Sequence, residues 1–268
     1  MSHSCSRKVN RAAKDDRYMT SNSDLYLDPD LVRFYDLENG WGDDTRLCAT
    51  MAAQTASVLD LGCGTGLLLS SLPGTIQLTG VDPAAAMLDV ARKRPGGRHV
   101  TWVEADARTV RLGQKFDLVV LTGHAFQVFL SDDDQRRVLR TIAAHLGQRG
   151  CFIFDSRNPD AREWQEWTPD ASRCTIRDRE LGEIDAWNDV RYDEATGIAA
   201  YETYYRARDG QTWQAEASIR FSSQQQLAEM IDEAGLEAEQ WLGDWTGAAF
   251  GPASPEIIPV GRLRGWAG

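Results

Sequence analysis

The sequence predicts an α/β protein: a parallel sheet covered by helices on both faces, with a smaller antiparallel β segment inserted late in the chain. Three observations predict it. From Ser57 onward, short apolar runs ended by turn residues alternate with segments of helical spacing. Those runs are apolar almost throughout rather than at every second residue, as strands buried on both faces must be. Between 160 and 220 the texture changes to polar–apolar alternation broken by two turn signals, Asp193 to Gly197 and Arg208-Asp209-Gly210.

Taken in order, residues 1–22 are polar, charged and aperiodic, and are expected to form a flexible tail. Residues 23–56 carry Leu31, Phe34 and Tyr35, then Leu47 and Met51, at helical spacing around a Gly-containing loop, and are expected to be a helical lid. Residues 57–159 hold five strands, beginning at Ser57, Ile76, His99, Phe116 and Gly150. The intervening helices begin at Gly66, Ala84 and Ser131. The last has Ser131 as its N-cap, acids in its first turn and Gly147 near its end. Residues 160–220 form the antiparallel insertion. Residues 221–268 complete the core sheet with a helix capped by Ser222 or Ser223 and ended by Gly235, then two strand-like pieces, Glu237 to Trp245 and Glu256 to Leu263.

Composition narrows the function. The chain has 268 residues, 42% of them hydrophobic, enough for one large domain with an insertion. Its net charge of −11 disfavours nucleic acid, whose recognition needs clustered Lys and Arg. Arg7, Lys8, Arg11 and Lys14 are the one basic cluster and read as a solvated tail. Five irregularly spaced cysteines with no CxxC pair suggest neither zinc nor a disulfide framework, so a reduced, cytoplasmic setting is expected. With no secretory-type apolar core at the start and no run approaching the roughly 18 apolar residues of a membrane span, a soluble protein is expected.

Three strand ends carry the chemistry. Asp60-Leu61-Gly62-Cys63-Gly64-Thr65-Gly66 follows a buried strand and precedes a helix. Its glycines permit a tight turn and let a ligand lie on bare backbone, and amides at the helix start suit a carboxylate. The spacing is G-x-G-x-G, and Asp60 would repel a pyrophosphate but suits an ammonium group. Asp82 ends the second strand, where it can accept from both hydroxyls of a ribose or cap the following helix, with Pro83 behind it. Asp106-Ala107 follows the third strand and offers an acceptor and an amide to an adenine edge.

These motifs, VLDLGCGTG, then VD, then EADA, then FDLVVLTG, resemble class I S-adenosylmethionine-dependent methyltransferases over residues 57–158. The resemblance implies a Rossmann-like, doubly wound, seven-stranded, mostly parallel sheet with an antiparallel last strand, and S-adenosyl-L-methionine as cofactor. It implies that Gly62, Cys63 and Gly64 line the methionine part and that Asp60 stands near its amino group. Asp82 would hold the ribose, Pro83 and Met87 pack near the adenine, and Asp106 and Ala107 read its edge. Thr122 and Gly123 would pass under the ribose and sulfonium. Tyr26, Tyr35 and Trp41 lie where related enzymes place a lid. Cys63 is expected to be small filler rather than a nucleophile.

The acceptor is less constrained. The aromatic Pro-Pro motif of base-modifying enzymes is missing after strand four, Asn158-Pro159 reads as a turn, and no Pro-Cys nucleophile occurs. The insertion is similar in position to that of glycine and amino-sugar N-methyltransferases, which implies a small-molecule acceptor with an N or O nucleophile. Arg157, Trp164, Trp167 and Tyr192 are candidate pocket residues. His124, at the end of strand four, is the candidate catalytic base. No metal is expected: the histidines are scattered and Asp155 has no evident partner in the sequence. The alternatives are a nicotinamide-dependent oxidoreductase, a non-catalytic binding protein on the same fold, and a protein or RNA methyltransferase guided by the basic tail. Oligomeric state is not legible.

Overall fold

The computed structural model describes residues 24–265. The basic cluster and the expected tail over 1–22 lie outside the described residues.

The expected lid divides in two. Helices α1 (Asp24–Leu27) and α2 (Pro29–Glu38) form a roof; the Asp28 carboxylate caps α2 by accepting from the Asp30 N–H at 2.9 Å, with Pro29 at the first helical position. Helix α3 (Asp43–Ala52) is instead a core layer, because its Cys48 and Ala52 are buried against Val58, Leu118 and Val120 of the sheet.

The core then alternates as expected: β1 (Ser57–Leu61), α4 (Leu67–Ser71), β2 (Gln77–Asp82), α5 (Ala85–Lys93), β3 (Val100–Glu104), β4 (Phe116–Leu121), α6 (Asp132–His145), β5 (Leu146–Phe154) and the short β6 (Ser156–Arg157). The insertion holds β7 (Cys174–Asp178), β8 (Gly182–Asp193), β9 (Ile198–Ala207) and β10 (Thr212–Arg220). The chain then closes with α7 (Gln224–Glu233), β11 (Leu236–Leu242) and β12 (Glu256–Leu263). Sheet order is β11-β12-β5-β4-β1-β2-β3, parallel except that β12 runs antiparallel to β5 and β11. The chain steps from β1 outward to β2 and β3, then returns to place β4 on the other side of β1. The carboxyl ends of β1 and β4 therefore form the switch point at which open α/β sheets bind ligands.

Two local expectations change. Gly147 does not end α6: the helix passes directly into β5 at Leu146, and Gly147 is a strand residue over which an added Cβ would come 3.1 Å from the Phe116 carbonyl. Of the two serines, Ser223 caps α7 in a reciprocal pair with Gln226, while Ser222 is buried against Gln135.

The insertion is a four-stranded meander, β10-β9-β8-β7, with a third hairpin at 178–182 beside the two expected. One face packs on the roof: Phe34 stacks on Tyr205 at 4.4 Å and meets Trp213 edge-on at 5.2 Å. Arg33 donates to Asp178 at 2.8 Å, and the Tyr205 hydroxyl donates to Glu38 at 2.6 Å. Roof and insertion therefore form one body over the switch point. Among the described residues no helix is long and apolar enough to cross a membrane.

Candidate active site

The glycine loop is built by backbone geometry. Gly62, Gly64 and Gly66 hold φ of +74°, +52° and +73°, the left-handed region that penalises any side chain. The N–H groups of Gly62 and Cys63 donate to the Val81 carbonyl at 2.7 and 3.1 Å. Asp82 then fixes the loop, accepting from Gly64 N–H on Oδ2 and from Ala84 N–H on Oδ1, both at 2.8 Å. Asp82 thus does local work for the turn before it and the helix after it, and its carboxyl still lines the cavity above.

That cavity has a volume of about 860 Å³. It is lined by Gly62 and Gly64, by Asp82, Pro83 and Met87, by Asp106 and Ala107, by Thr122 and Gly123, and by Tyr26 and Tyr35 from the roof. A second cavity of about 300 Å³ adjoins it, lined by Asp60, Cys63, His124, Asp155 and Glu256. Tyr35, Gly62, Thr122 and Gly123 line both. The Tyr35 hydroxyl lies between the two walls: Cβ atoms added at Gly64 and Gly123 would fall 3.6 and 3.7 Å from it. Trp41 is the exception among the expected lid residues. It lines neither cavity and is 45% exposed, because it sits in the solvent-facing turn between α2 and α3.

The larger cavity also touches the insertion. Alternation along a strand places Tyr201 and Ala217 on one face and Ala200, Glu202, Glu216 and Ser218 on the other. All of them line the cavity, so it wraps the free edge of β10.

Electrostatics separate the acids. Asp60 is buried and accepts no hydrogen bond from the described residues; burial, then the neighbouring Asp82, push its carboxyl up to about 7. Burial also raises Asp82, against the two N–H donors that lower it. Asp155 is raised to about 6 by burial, with His124 opposing. Burial raises the Cys63 thiol well above its ordinary range, and its sulfur packs under Gly80 beside Trp102, as a filler would. Asp106 is different. The Arg108 backbone N–H and guanidinium occupy both of its oxygens at 2.6 to 3.0 Å and hold its carboxyl low against burial. Reading an adenine edge with Asp106 therefore requires Arg108, which also reaches Asp134 at 3.1 Å, to yield a lone pair.

His124 adopts a left-handed backbone, φ 60°, unusual for a residue with a side chain. Its N–H donates to both Asp155 oxygens at 3.0 and 3.2 Å, and its Nε2 lies 2.9 Å from Glu256 Oε1. Asp155, without an evident partner in the sequence, therefore has His124. Met87 is buried with Val32 and Ala84 and also faces the cavity, so core packing and ligand contact coincide. Trp164, Trp167 and Tyr192 line neither cavity. Trp164 stacks on Tyr192 at 3.8 Å, Trp167 packs on Tyr201 and Phe221, and Arg157 lies over the Trp167 ring. Aromatic packing beneath the insertion consumes them.

The residues fit a cofactor with an ammonium group, a ribose and a flat base: a buried, unpartnered carboxylate at Asp60, bare glycine backbone, and an acid at the end of β2. Residues 58–150 match the methyltransferase-domain family. The chain has the class I S-adenosylmethionine-dependent methyltransferase fold with an added β segment, S-adenosylmethionine is the cofactor of that fold, and methylation is its general activity.

The chain is 28% identical over 211 residues to the cypemycin N-terminal methyltransferase of a Streptomyces species, across 76% of this chain and 82% of the relative. A match of 33% over 109 residues to the malonyl-[acyl-carrier protein] O-methyltransferase of Bacillus cereus spans 39% of each chain. In structure it is similar to the CcbJ methyltransferase of Streptomyces caelestis, with TM-score 0.71, 22% identity, and 85% of this chain and 95% of that one covered. It is also similar to the sugar N-methyltransferase KedS8 of Streptoalloteichus, with TM-score 0.67, 17% identity, and 98% and 99% covered.

Proposed function

We propose that this protein transfers a methyl group from S-adenosylmethionine to a small-molecule acceptor, preferentially an amine. The observation that carries the proposal is the pair of adjoining cavities. One offers the glycine loop, Asp82 and Met87 to a nucleoside; the other offers Asp60 and His124 to charged groups; and the insertion roofs the larger of the two.

When bound, the cofactor supplies an already activated methyl group, so the protein's tasks are alignment and exclusion of water. Asp60 receives the cofactor's ammonium, and Asp82 holds the ribose while keeping the glycine loop in register. Pro83 and Met87 flank the base, and Ala107 offers it an amide. Thr122 and Gly123 form the floor and Tyr35 the ceiling where the two cavities meet. His124 takes the proton that an amine or hydroxyl acceptor must lose. A chain of net charge −11 suits a cationic acceptor better than a polyanion.

Calorimetric titration with S-adenosylmethionine and S-adenosylhomocysteine, beside Asp82→Ala, tests the site. Micromolar binding that weakens by about tenfold or more in the variant, ~1.4 kcal/mol, supports it, and no binding to folded protein would remove it. Transfer of a labelled methyl group into pooled small amines, with peptide and RNA pools as controls, tests the acceptor.

A peptide N-terminal amine is the second reading. The cavity continues around the β10 edge to Glu202 and Glu216, room for a chain behind the reacting amine. The Streptomyces relative that is 28% identical over 211 residues carries an N-terminal methyltransferase name. Label appearing in peptides rather than small amines would favour it.

A further inference from the structure

His124 stands just after the end of β4, but its two partners come from elsewhere in the sheet. Asp155 follows β5. Glu256 opens β12, 132 residues away in sequence, and its register is fixed by pairing with Arg157 of β6. We infer that Asp155 and Glu256 are positioning residues for His124. Glu256 holds the ring as its Nε2–H tautomer, leaving Nδ1 to take the acceptor's proton, and Asp155 holds the backbone that aims the ring. The inference rests on the methyl-transfer reading above.

The geometry carries each part. A histidine with φ of 60° stays there only where its surroundings over-determine it. Two oxygens of a fully buried Asp155 on one N–H, at 3.0 and 3.2 Å, do that. An ionised carboxylate only accepts, so the 2.9 Å contact with Glu256 Oε1 makes Nε2 the donor and puts the neutral ring's lone pair on Nδ1. Nδ1 has no hydrogen-bond partner among the described residues and is not among the enclosed unpaired atoms. The ring is a quarter exposed, in the cavity shared with Gly62, Thr122 and Gly123. Asp155 Oδ2 lies 3.6 Å from Nε2, and the second Glu256 oxygen is buried without a partner, so two carboxylates stand ready for the imidazolium. Asp60, Glu38 and Asp44 line the same cavity, and Arg157 acts on Asp155 from β6.

For an ammonium acceptor the sequence balances. The proton passes to Nδ1 and the N–H electron pair stays on nitrogen. That pair forms the N–CH₃ bond as the S–CH₃ pair withdraws onto sulfur. An orienting carboxylate behind a histidine has the same use in hydrolytic triads, where it fixes the tautomer.

The test reads the tautomer directly. Long-range ¹H–¹⁵N spectra of the full chain with labelled histidine, assigned by His124→Gln, should show Nε2–H. In Glu256→Gln a substantial Nδ1–H population should appear, and Glu256→Asp should restore part of the original state. With whichever amine accepts label in the pooled assay, Glu256→Gln and Asp155→Asn should each lower kcat at least ~10-fold, with S-adenosylhomocysteine affinity within ~2-fold as the check on folding. Nδ1–H in the wild type, or an unchanged tautomer in Glu256→Gln, would overturn the inference. The spectra need no acceptor. A correct tautomer in a protein that methylates nothing would therefore sink the methyl-transfer reading while the positioning geometry stood.

Discussion

Asp60 and Asp82 face the same glycine loop from the ends of neighbouring strands, and Asp82 disfavours the charge on Asp60. Burial is the larger cause of the rise in Asp60 to about 7, and Asp82 is the second. A bound ammonium reverses that penalty. Cofactor binding should therefore release a proton near neutrality and weaken as pH falls through about 7, where Asp60 is protonated. Calorimetry of S-adenosylhomocysteine in buffers of different ionisation heats checks it; proton uptake, or affinity that does not change with pH, would count against Asp60 as the ammonium partner.

The same carboxyl should trade stability for binding. A fold that raises an acid to about 7 from 3.8 favours its neutral form. That contribution is complete below 3.8 and is lost as pH rises through about 7. Asp60→Asn should thus stabilise the unliganded protein at alkaline pH, by roughly 5 °C in Tm, and give little gain in acid. It should weaken cofactor binding by about tenfold or more. A variant no more stable at alkaline pH than the wild type would show that water relieves the burial.

Two glycines should fail in opposite ways. Gly64 has φ +52° with only ordinary contacts to Tyr35, so Gly64→Ala costs about 1–2 kcal/mol of backbone strain while placing a methyl group in the cleft. Gly80 has an ordinary φ, but an added Cβ would lie 2.6 Å from the Trp102 ring and 2.9 Å from the Cys63 sulfur. Gly80→Ala should therefore lower Tm more and Gly64→Ala should lower cofactor affinity more. Thermal scans beside titrations separate the two, and parallel losses in both variants would refute the assignment.

What the sequence made legible follows from what local pattern encodes. Double-faced apolar runs identified β1, β2, β4 and β5, and the glycine spacing located the loop, because backbone conformation and burial leave marks in adjacent residues. Side-chain partnership across the sheet leaves none. Nothing in the spacing joins Glu256 to His124, Arg108 to Asp134 or Arg94 to Asp36. Position in the chain alone makes Trp41 a lid candidate beside Tyr26 and Tyr35. Its exposure is decided by the direction of a turn, which the sequence does not specify. Trp164 and Tyr192 belong to the insertion, but they face each other rather than the cavity.

Asp36 and Arg94 tie the roof to the loop. The Thr65 hydroxyl donates to Asp36 at 2.6 Å, Arg94 donates to the Thr65 carbonyl at 2.6 Å and to its hydroxyl at 2.9 Å, and Arg94 also bonds Asp36. The pair is part-exposed, so its contribution to global stability is small. Its effect falls on where Tyr35, one residue earlier, sits over Gly64. Asp36→Ala should weaken cofactor binding by roughly three- to tenfold (about 0.7–1.4 kcal/mol), with Tm down by only about 1–3 °C. An unchanged affinity would mean that the hydrophobic contacts of Phe34 hold the roof alone.

Methyl transfer here should not need a metal. His124, Asp155 and Glu256 are the described residues whose donor atoms come within 4.8 Å of one another, one imidazole and two carboxylates, a set that suits a divalent cation as well as a proton. A cation on Nε2 would displace the hydrogen to Glu256, whereas the 2.9 Å contact already pairs Nε2 with Glu256 Oε1. A sulfonium methyl group also needs no Lewis acid to react. Exhaustive chelation should leave turnover unchanged, and Mn²⁺ should not broaden the His124 resonances. Loss of turnover restored by Mg²⁺, together with such broadening, would turn the same three side chains into ligands and remove His124 as the base.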